Sequence, residues 1–237
     1  MKIAIISDIH GNLEALTAVL KYIKESGIKN IHCLGDIVGY GPNPNECVEL
    51  IIEHCKKVVI GNHDHAALGL TSTEYFNDFA KISTYWTSLN LSNDSKEYLS
   101  SLEFSHNCDK YLLVHSTPSE PEMWHYILSE MDAKHEFRHF KQKICFIGHS
   151  HFPIVFFKSG YSRDQKFKLD QSDKYIINVG SIGQPRDGNP KTCFCVYNSS
   201  SEEIEYIRLD YDVSKTREKI VKAGLPVFLA DRLLKGY

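Results

Sequence analysis

The chain has 237 residues, 42% of them hydrophobic and 24% charged, enough for a single domain with a substantial core. Its formal net charge of −3 and its pI near 6.5 offer no basic field to a long nucleic acid, and no run is long and apolar enough to predict a membrane span. Seven cysteines (Cys33, Cys47, Cys55, Cys108, Cys145, Cys193 and Cys195) form an odd set without a C-x-x-C pair, so they read as reduced core thiols of a cytoplasmic protein.

Taken in order, residues 2–7 are a continuous apolar run, the pattern of a strand buried on both faces. No basic leader precedes it, so no signal peptide is expected. Leu13, Leu16, Ala18, Leu20 and Ile23 then recur at helical spacing as far as Gly27. The run Ile31–Leu34 predicts a second strand, a helix follows Pro44, and Val58-Val59-Ile60 predicts a third strand. This β-α-β-α-β order argues for parallel strands with helices packed on them.

Residues 66–102 turn polar with scattered aromatics and are expected to form a helical, cap-like region. Tyr111–Val114 and Ile144–Ile147 read as strands, as do Ile154–Phe157, Tyr175–Val179, Thr192–Tyr197 and Ile204–Leu209. Cys193 and Cys195 share one face of their strand, but no second pair completes a zinc site there. The polar stretch Ser159–Asp173 is expected to be an exposed turn, and helices are expected over 213–222 and after Pro226. One domain over 1–237 accounts for the pattern.

Short polar blocks punctuate these runs: Asp8-Ile9-His10, Gly35-Asp36, Gly61-Asn62-His63-Asp64, His115, and Gly148-His149-Ser150-His151. Each block alone reads as an ordinary turn or helix cap. Together they gather carboxylate oxygens and imidazole nitrogens, the donors that borderline divalent metals prefer, at strand ends, where α/β sheets bind ligands. Asp8 and His10 sit two apart across a turn. Asp36 follows a glycine and can bridge two cations through its two oxygens. Asn62 offers a neutral carbonyl, and His63 beside it stays free for acid–base work.

In this order the blocks resemble the calcineurin-like metallophosphoesterase superfamily, whose pattern is D-x-H, G-D, G-N-H-D/E, H and G-H-x-H. The resemblance runs from Met1 to about residue 210. The stretches 35–42 and 178–186 are similar to its small bacterial and archaeal phosphodiesterase-type members. The fold it implies is α/β (α+β) in four layers, two mixed β-sheets in a sandwich flanked by helices. By position, it implies one metal held by Asp8, His10, Asp36 and His151, and a second by Asp36, Asn62, His115 and His149. His63 would be the outer acid that protonates the leaving oxygen or stabilises the departing charge, for which it need only be partly protonated near pH 7. The implied cofactors are two divalent ions (Mn, Fe, Zn or a mixture), roughly 3.5–4 Å apart, activating water for in-line attack on phosphorus.

The chain departs from the family's protein phosphatases and symmetrical diadenosine tetraphosphatases, which carry G-D-x-V-D-R-G; residues 35–41 here lack that arginine. Arg186 can supply a replacement cation or pair with Asp187 to fix its turn. Tyr40 can stack on a base or pack, and His65 lies near enough in sequence to touch substrate. The expected activity is a phosphodiesterase acting on small, nucleotide-like substrates. A phosphomonoesterase, or a metal-binding scaffold without catalysis, is the alternative, and assembly into a homo-oligomer stays open.

Overall fold

The run Lys2–Ile6 forms strand β1, and its alternation sets the architecture. Ile3 and Ile5 point to one side and Ala4 and Ile6 to the other, each pair entering a different core. The computed structural model describes all 237 residues. Helix α1 (Leu13–Glu25) is capped by Asn12, β2 is Asn30–Cys33, and α2 (Pro44–His54) starts on a proline, which has no N–H to satisfy. β3 (Lys57–Val58), α3 (Asn62–Ala67), α4 (Asp78–Asn90) and α5 (Asn93–Ser100) follow. Next come β4 (Ser105–Asn107), β5 (Tyr111–Val114), α6 (Glu130–Glu136), β6 (Ile144–Ile147) and β7 (Ile154–Phe157). The chain continues through β8 (Gly160–Ser162), β9 (Lys166–Lys168), β10 (Tyr175–Asn178), β11 (Thr192–Asn198) and β12 (Glu203–Leu209) to α7 (Val213–Lys222) and α8 (Val227–Asp231).

The strands make two six-stranded mixed sheets, in the orders β3-β2-β1-β11-β12-β9 and β4-β5-β6-β10-β7-β8. Ile3, Ile5, Phe146, Ile177, Cys193, Cys195 and Tyr197 pack between the sheets. Ala4 and Ile6 meet Leu16, Val19 and Ile23 of α1 and Val48 and Ile51 of α2 on the outer side. Val114, Ile147 and Phe156 meet Ala133 beyond the second sheet. This is the four-layer sandwich, with period-2 strands feeding two cores at once. All seven cysteines are free, and Cys193 and Cys195 are buried between the sheets as small apolar side chains. No helix is long and apolar enough to cross a membrane.

The expectation of a plain exposed turn over Ser159–Asp173 is corrected: β8 pairs with β7, and β9 pairs with β12 through Phe167 and Ile204. Phe167 stacks on Phe157 at 5.5 Å while Lys166 and Lys168 face solvent. One apolar residue between two lysines is too short a period to read in sequence. Residues 66–102 carry α4 and α5. Leu99 of α5 joins the core under α1 and α2, whereas Phe76 and Trp86 pack with Tyr40 against Leu229 and Leu233. Tyr75 and Tyr85 stay exposed.

Asn12 ties the ends of the chain together. Its Oδ1 accepts from Ala15 N and Thr216 Oγ1, and its Nδ2 donates to Gly183 O at 2.9 Å. Asn12→Ala strands several buried polar groups and removes the α1 cap, so it is expected to cost about 2–3 kcal/mol. Urea unfolding measures this as a lower midpoint at unchanged slope. A loss below about 0.5 kcal/mol would show that the cap is dispensable.

Candidate metal centre

The turns after β1, β2, β5 and β6 converge because their backbones are stitched together. Asp8 N donates to Gly35 O, His10 N to Asp36 O, and Gly148 N to His115 O, each within 2.9–3.0 Å. Five of the eight non-glycine residues with positive φ are Asp8, His10, Asp36, His149 and His151. The left-handed region is costly for such residues, and here it turns successive side chains inward from very short turns. Gly35 and Gly61 allow the second and third turns to touch. A Cβ on Gly35 would lie 2.4 Å from Gly61 N, and one on Gly61 would lie 2.1 Å from Asp36 Oδ1.

The donor atoms of Asp8, His10, Asp36 and His151 all lie within 4.8 Å of one another, and those of Asp36, His115 and His149 form a second such group. Asn62 joins the second group, its Oδ1 3.2 Å from His115 Nε2. His10 Nε2 and His151 Nε2 face each other at 3.1 Å. Asp36 Oδ2 lies 3.6 Å from His10 Nε2 and 3.4 Å from His115 Nε2, whereas its Oδ1 accepts from His63 N at 2.8 Å. A single oxygen therefore faces both groups, in place of the two oxygens anticipated from sequence.

Each of the four rings is oriented by a carbonyl. Nδ1 donates to Val38 O in His10, to Leu34 O in His115 and to Gln184 O in His151, at 3.2, 2.7 and 2.5 Å. His149 is reversed, donating from Nε2 to Trp124 O at 2.8 Å. A carbonyl only accepts, so in a neutral ring the proton is fixed on the outward nitrogen and the inward one keeps its lone pair. That tautomer is the one a metal needs, and it shows that these residues fit a cation.

Burial opposes charge on His115, but Asp36 prevails and raises it to about 9. His10, His149 and His151 are pushed down chiefly by burial, His149 to about 3. No lysine or arginine pairs with Asp8 or Asp36, both fully buried. Two carboxylates against one imidazolium leave an uncompensated negative charge, an attractive setting for a divalent ion.

His63 lies beside this group, its ring 5.0 Å from His10, 4.5 Å from Tyr40 and 4.9 Å from Phe76. Its Nδ1 is buried without a partner, in the space that Gly39 leaves open (a Cβ there would meet this nitrogen at 2.8 Å). Tyr40 is buried and packs edge-on against His10. His65 is turned away from the donor groups, with Nδ1 2.6 Å from Thr71 Oγ1 and its ring against Phe104 and Trp124. Arg186 does not pair with Asp187, which is taken by Arg208; it donates instead to Gln184 Oε1 and lies 5.9 Å from the Tyr40 ring.

Sequence reasoning passed over three neighbours. Trp124 orients His149, and Tyr126 stacks on that same ring at 3.9 Å. Asp64 accepts from Val38 N and Gly61 N and braces the third block. Asp64 was visible inside its motif, whereas the stretch around Trp124 carries no periodic signal.

Residues 1–201 match the family model of the calcineurin-like phosphoesterase superfamily domain. An uncharacterised protein of Methanocaldococcus jannaschii is 45% identical over 241 residues, spanning 99% of this chain and 98% of its own. The crystal structure of a metallophosphoesterase from Sphaerobacter thermophilus, 38% identical, has a TM-score of 0.89 and covers 100% of this chain and 99% of the other. A hypothetical protein from Pyrococcus horikoshii, 22% identical, has a TM-score of 0.82 over 100% and 98% of the two chains, a likeness of fold.

If these donors hold cations, adding Mn²⁺ to metal-stripped protein should raise its unfolding free energy, by about 2.7 kcal/mol at a hundredfold excess over Kd. Asp36→Ala should abolish the gain. A gain of equal size in that variant would place the ions elsewhere.

Proposed function

The chain belongs to the calcineurin-like phosphoesterase superfamily, a family of metal-dependent phosphate-ester hydrolases, and from that premise we propose that it is a phosphodiesterase acting on small, nucleotide-like substrates with two divalent ions. The observation that carries the two-ion reading is Asp36 Oδ2 standing between two separately oriented histidine groups. One ion is assigned to Asp8, His10, Asp36 and His151, and the other to Asp36, Asn62, His115 and His149. Nitrogen and oxygen donors admit manganese, iron, zinc or a mixture. When bound, such ions offset phosphoryl charge and make the attacking water more acidic.

The chain's own groups do the rest. Carbonyl-fixed imidazoles hold the donors still, so little reorganisation is needed during turnover. His63 is assigned to the leaving oxygen. Burial brings this ring down to about 4, so near pH 7 it is neutral, which favours stabilising the departing charge over outright proton transfer. A neutral imidazole still donates one N–H, and that bond strengthens as negative charge builds on the departing oxygen. Arg186, free of Asp187, is assigned to a phosphoryl oxygen. With all seven cysteines free, the reading places the enzyme in a reducing, cytoplasmic setting.

The test is hydrolysis by metal-stripped protein reloaded with Mn²⁺, offered an aryl diester, an aryl monoester, cyclic nucleotides and a dinucleoside tetraphosphate. A diester is expected to lead. His63→Ala should keep the metal and lose on the order of a hundredfold in turnover. A monoester turned over best would move the assignment to a phosphomonoesterase. Silence across the panel with metal bound would point to a scaffold.

A further inference from the structure

Helix α4 is turned inside out with respect to its own side chains. Its buried positions hold the small residues Ala80, Ser83, Thr84 and Thr87. Phe79, Ile82, Tyr85 and Leu89 recur on the opposite side at spacings of three and four. All four are exposed, Tyr85 by 68% and Leu89 by 66%. A surface helix normally buries its large apolar side chains and shows its small polar ones to water. Here the hydroxyls of Thr84 and Thr87 are buried without a hydrogen-bond partner in the chain, while the apolar face stays open. No charged residue falls between Ile82 and Leu89.

The apolar surface continues past the helix. Phe228 of α8 stacks on Phe79 at 4.5 Å, Tyr237 lies 6.5 Å from Phe228, and both are themselves exposed. Together these six side chains leave on the order of 600 Å² open to water, taking about 150–250 Å² for a whole aromatic side chain. That is the upper end of what a monomer leaves exposed, roughly 300–600 Å². It is also most of the roughly 800 Å² that each partner gives to a standard interface, a polar rim supplying the remainder. A second copy of this chain matches such a stripe. Antiparallel pairing about a two-fold axis near Tyr85 sets the Phe79 end of one helix against the Leu89 end of the other. Apolar surface then meets apolar surface along the stripe, no like charges are opposed from Ile82 to Leu89, and the two helix dipoles run in opposite directions.

We infer that the protein is a homodimer paired through the outer faces of α4, with Ile82, Tyr85 and Leu89 at the centre of the interface and Phe228 and Tyr237 at its edge. The pairing bears on the metal centre. Helix α4 begins two residues after Phe76, whose ring lies 4.9 Å from that of His63. On the inner side, Ala80 and Trp86 of α4 pack in the cluster that holds Tyr40. A partner helix on the outer side clamps this segment between two apolar surfaces, so the rings around His63 gain support from the second copy.

Sedimentation equilibrium on the full chain at micromolar concentrations is expected to give about twice the protomer mass of 27.1 kDa. Tyr85→Glu sets a charge against its own copy and should weaken the dimer about thirtyfold or more. Circular dichroism should show this variant folded like the natural chain, because Tyr85 is exposed in the protomer. Tyr85→Ser, which adds no charge, carries the test if the glutamate variant melts early. Met131→Glu, at an equally exposed apolar position on α6 beyond the second sheet, should leave the dimer unchanged. A monomer at every concentration, with or without a foreign protein bound, would overturn the inference. So would a dimer that a folded Tyr85 variant leaves at full strength, or one that Met131→Glu weakens as much.

Discussion

The arrangement around Asp36 depends on backbone held where side chains rarely tolerate it. Asp8, His10, Asp36, His149 and His151 all have positive φ, each at a cost of roughly 1–2 kcal/mol for a residue with a Cβ. Such a conformation persists only where its surroundings over-determine it. Here they do: Asp8 and Gly183, His10 and Asp36, and Gly11 and Ile37 are joined by backbone hydrogen bonds between turns that are distant in sequence. Two sheets packed face to face bring those turns to one end of the sandwich. A fold that only needed to be stable would have no reason to place five such residues together.

Electrostatics points the same way. Asp8 and Asp36 are buried with imidazoles for company and no lysine or arginine in reach. Three of the four ligand-type rings are held neutral by burial, while His115 alone gains charge from Asp36. In the three neutral rings, carbonyls on the far side turn a lone pair toward the carboxylates. The protein thus bears the cost of unmatched buried charge and strained turns in the same few residues. A bound cation would relieve the first and give the second its purpose.

Much of this was legible in the residues. The apolar runs placed β1, β5, β6, β7 and β10 to within a residue or so, and the polar blocks at their ends contain the aspartates and histidines whose donor atoms gather. Those features are local, so spacing along the chain reports them. What sequence could not carry was long-range or aperiodic. Trp124 and Tyr126 sit in an irregular stretch, yet they orient and cover His149. The neutral state of His63 follows from burial, which no motif states. The partner of Asp187 was open in sequence and proved to be Arg208, across the β11–β12 hairpin.

The central claim is that two cations share Asp36, and anomalous diffraction from crystals of manganese-loaded protein tests it most directly. The account predicts two anomalous peaks flanking Asp36 Oδ2, one among Asp8, His10 and His151 and the other among Asn62, His115 and His149. A single peak at full metal loading, or peaks that leave Asp36 on one side, would contradict it.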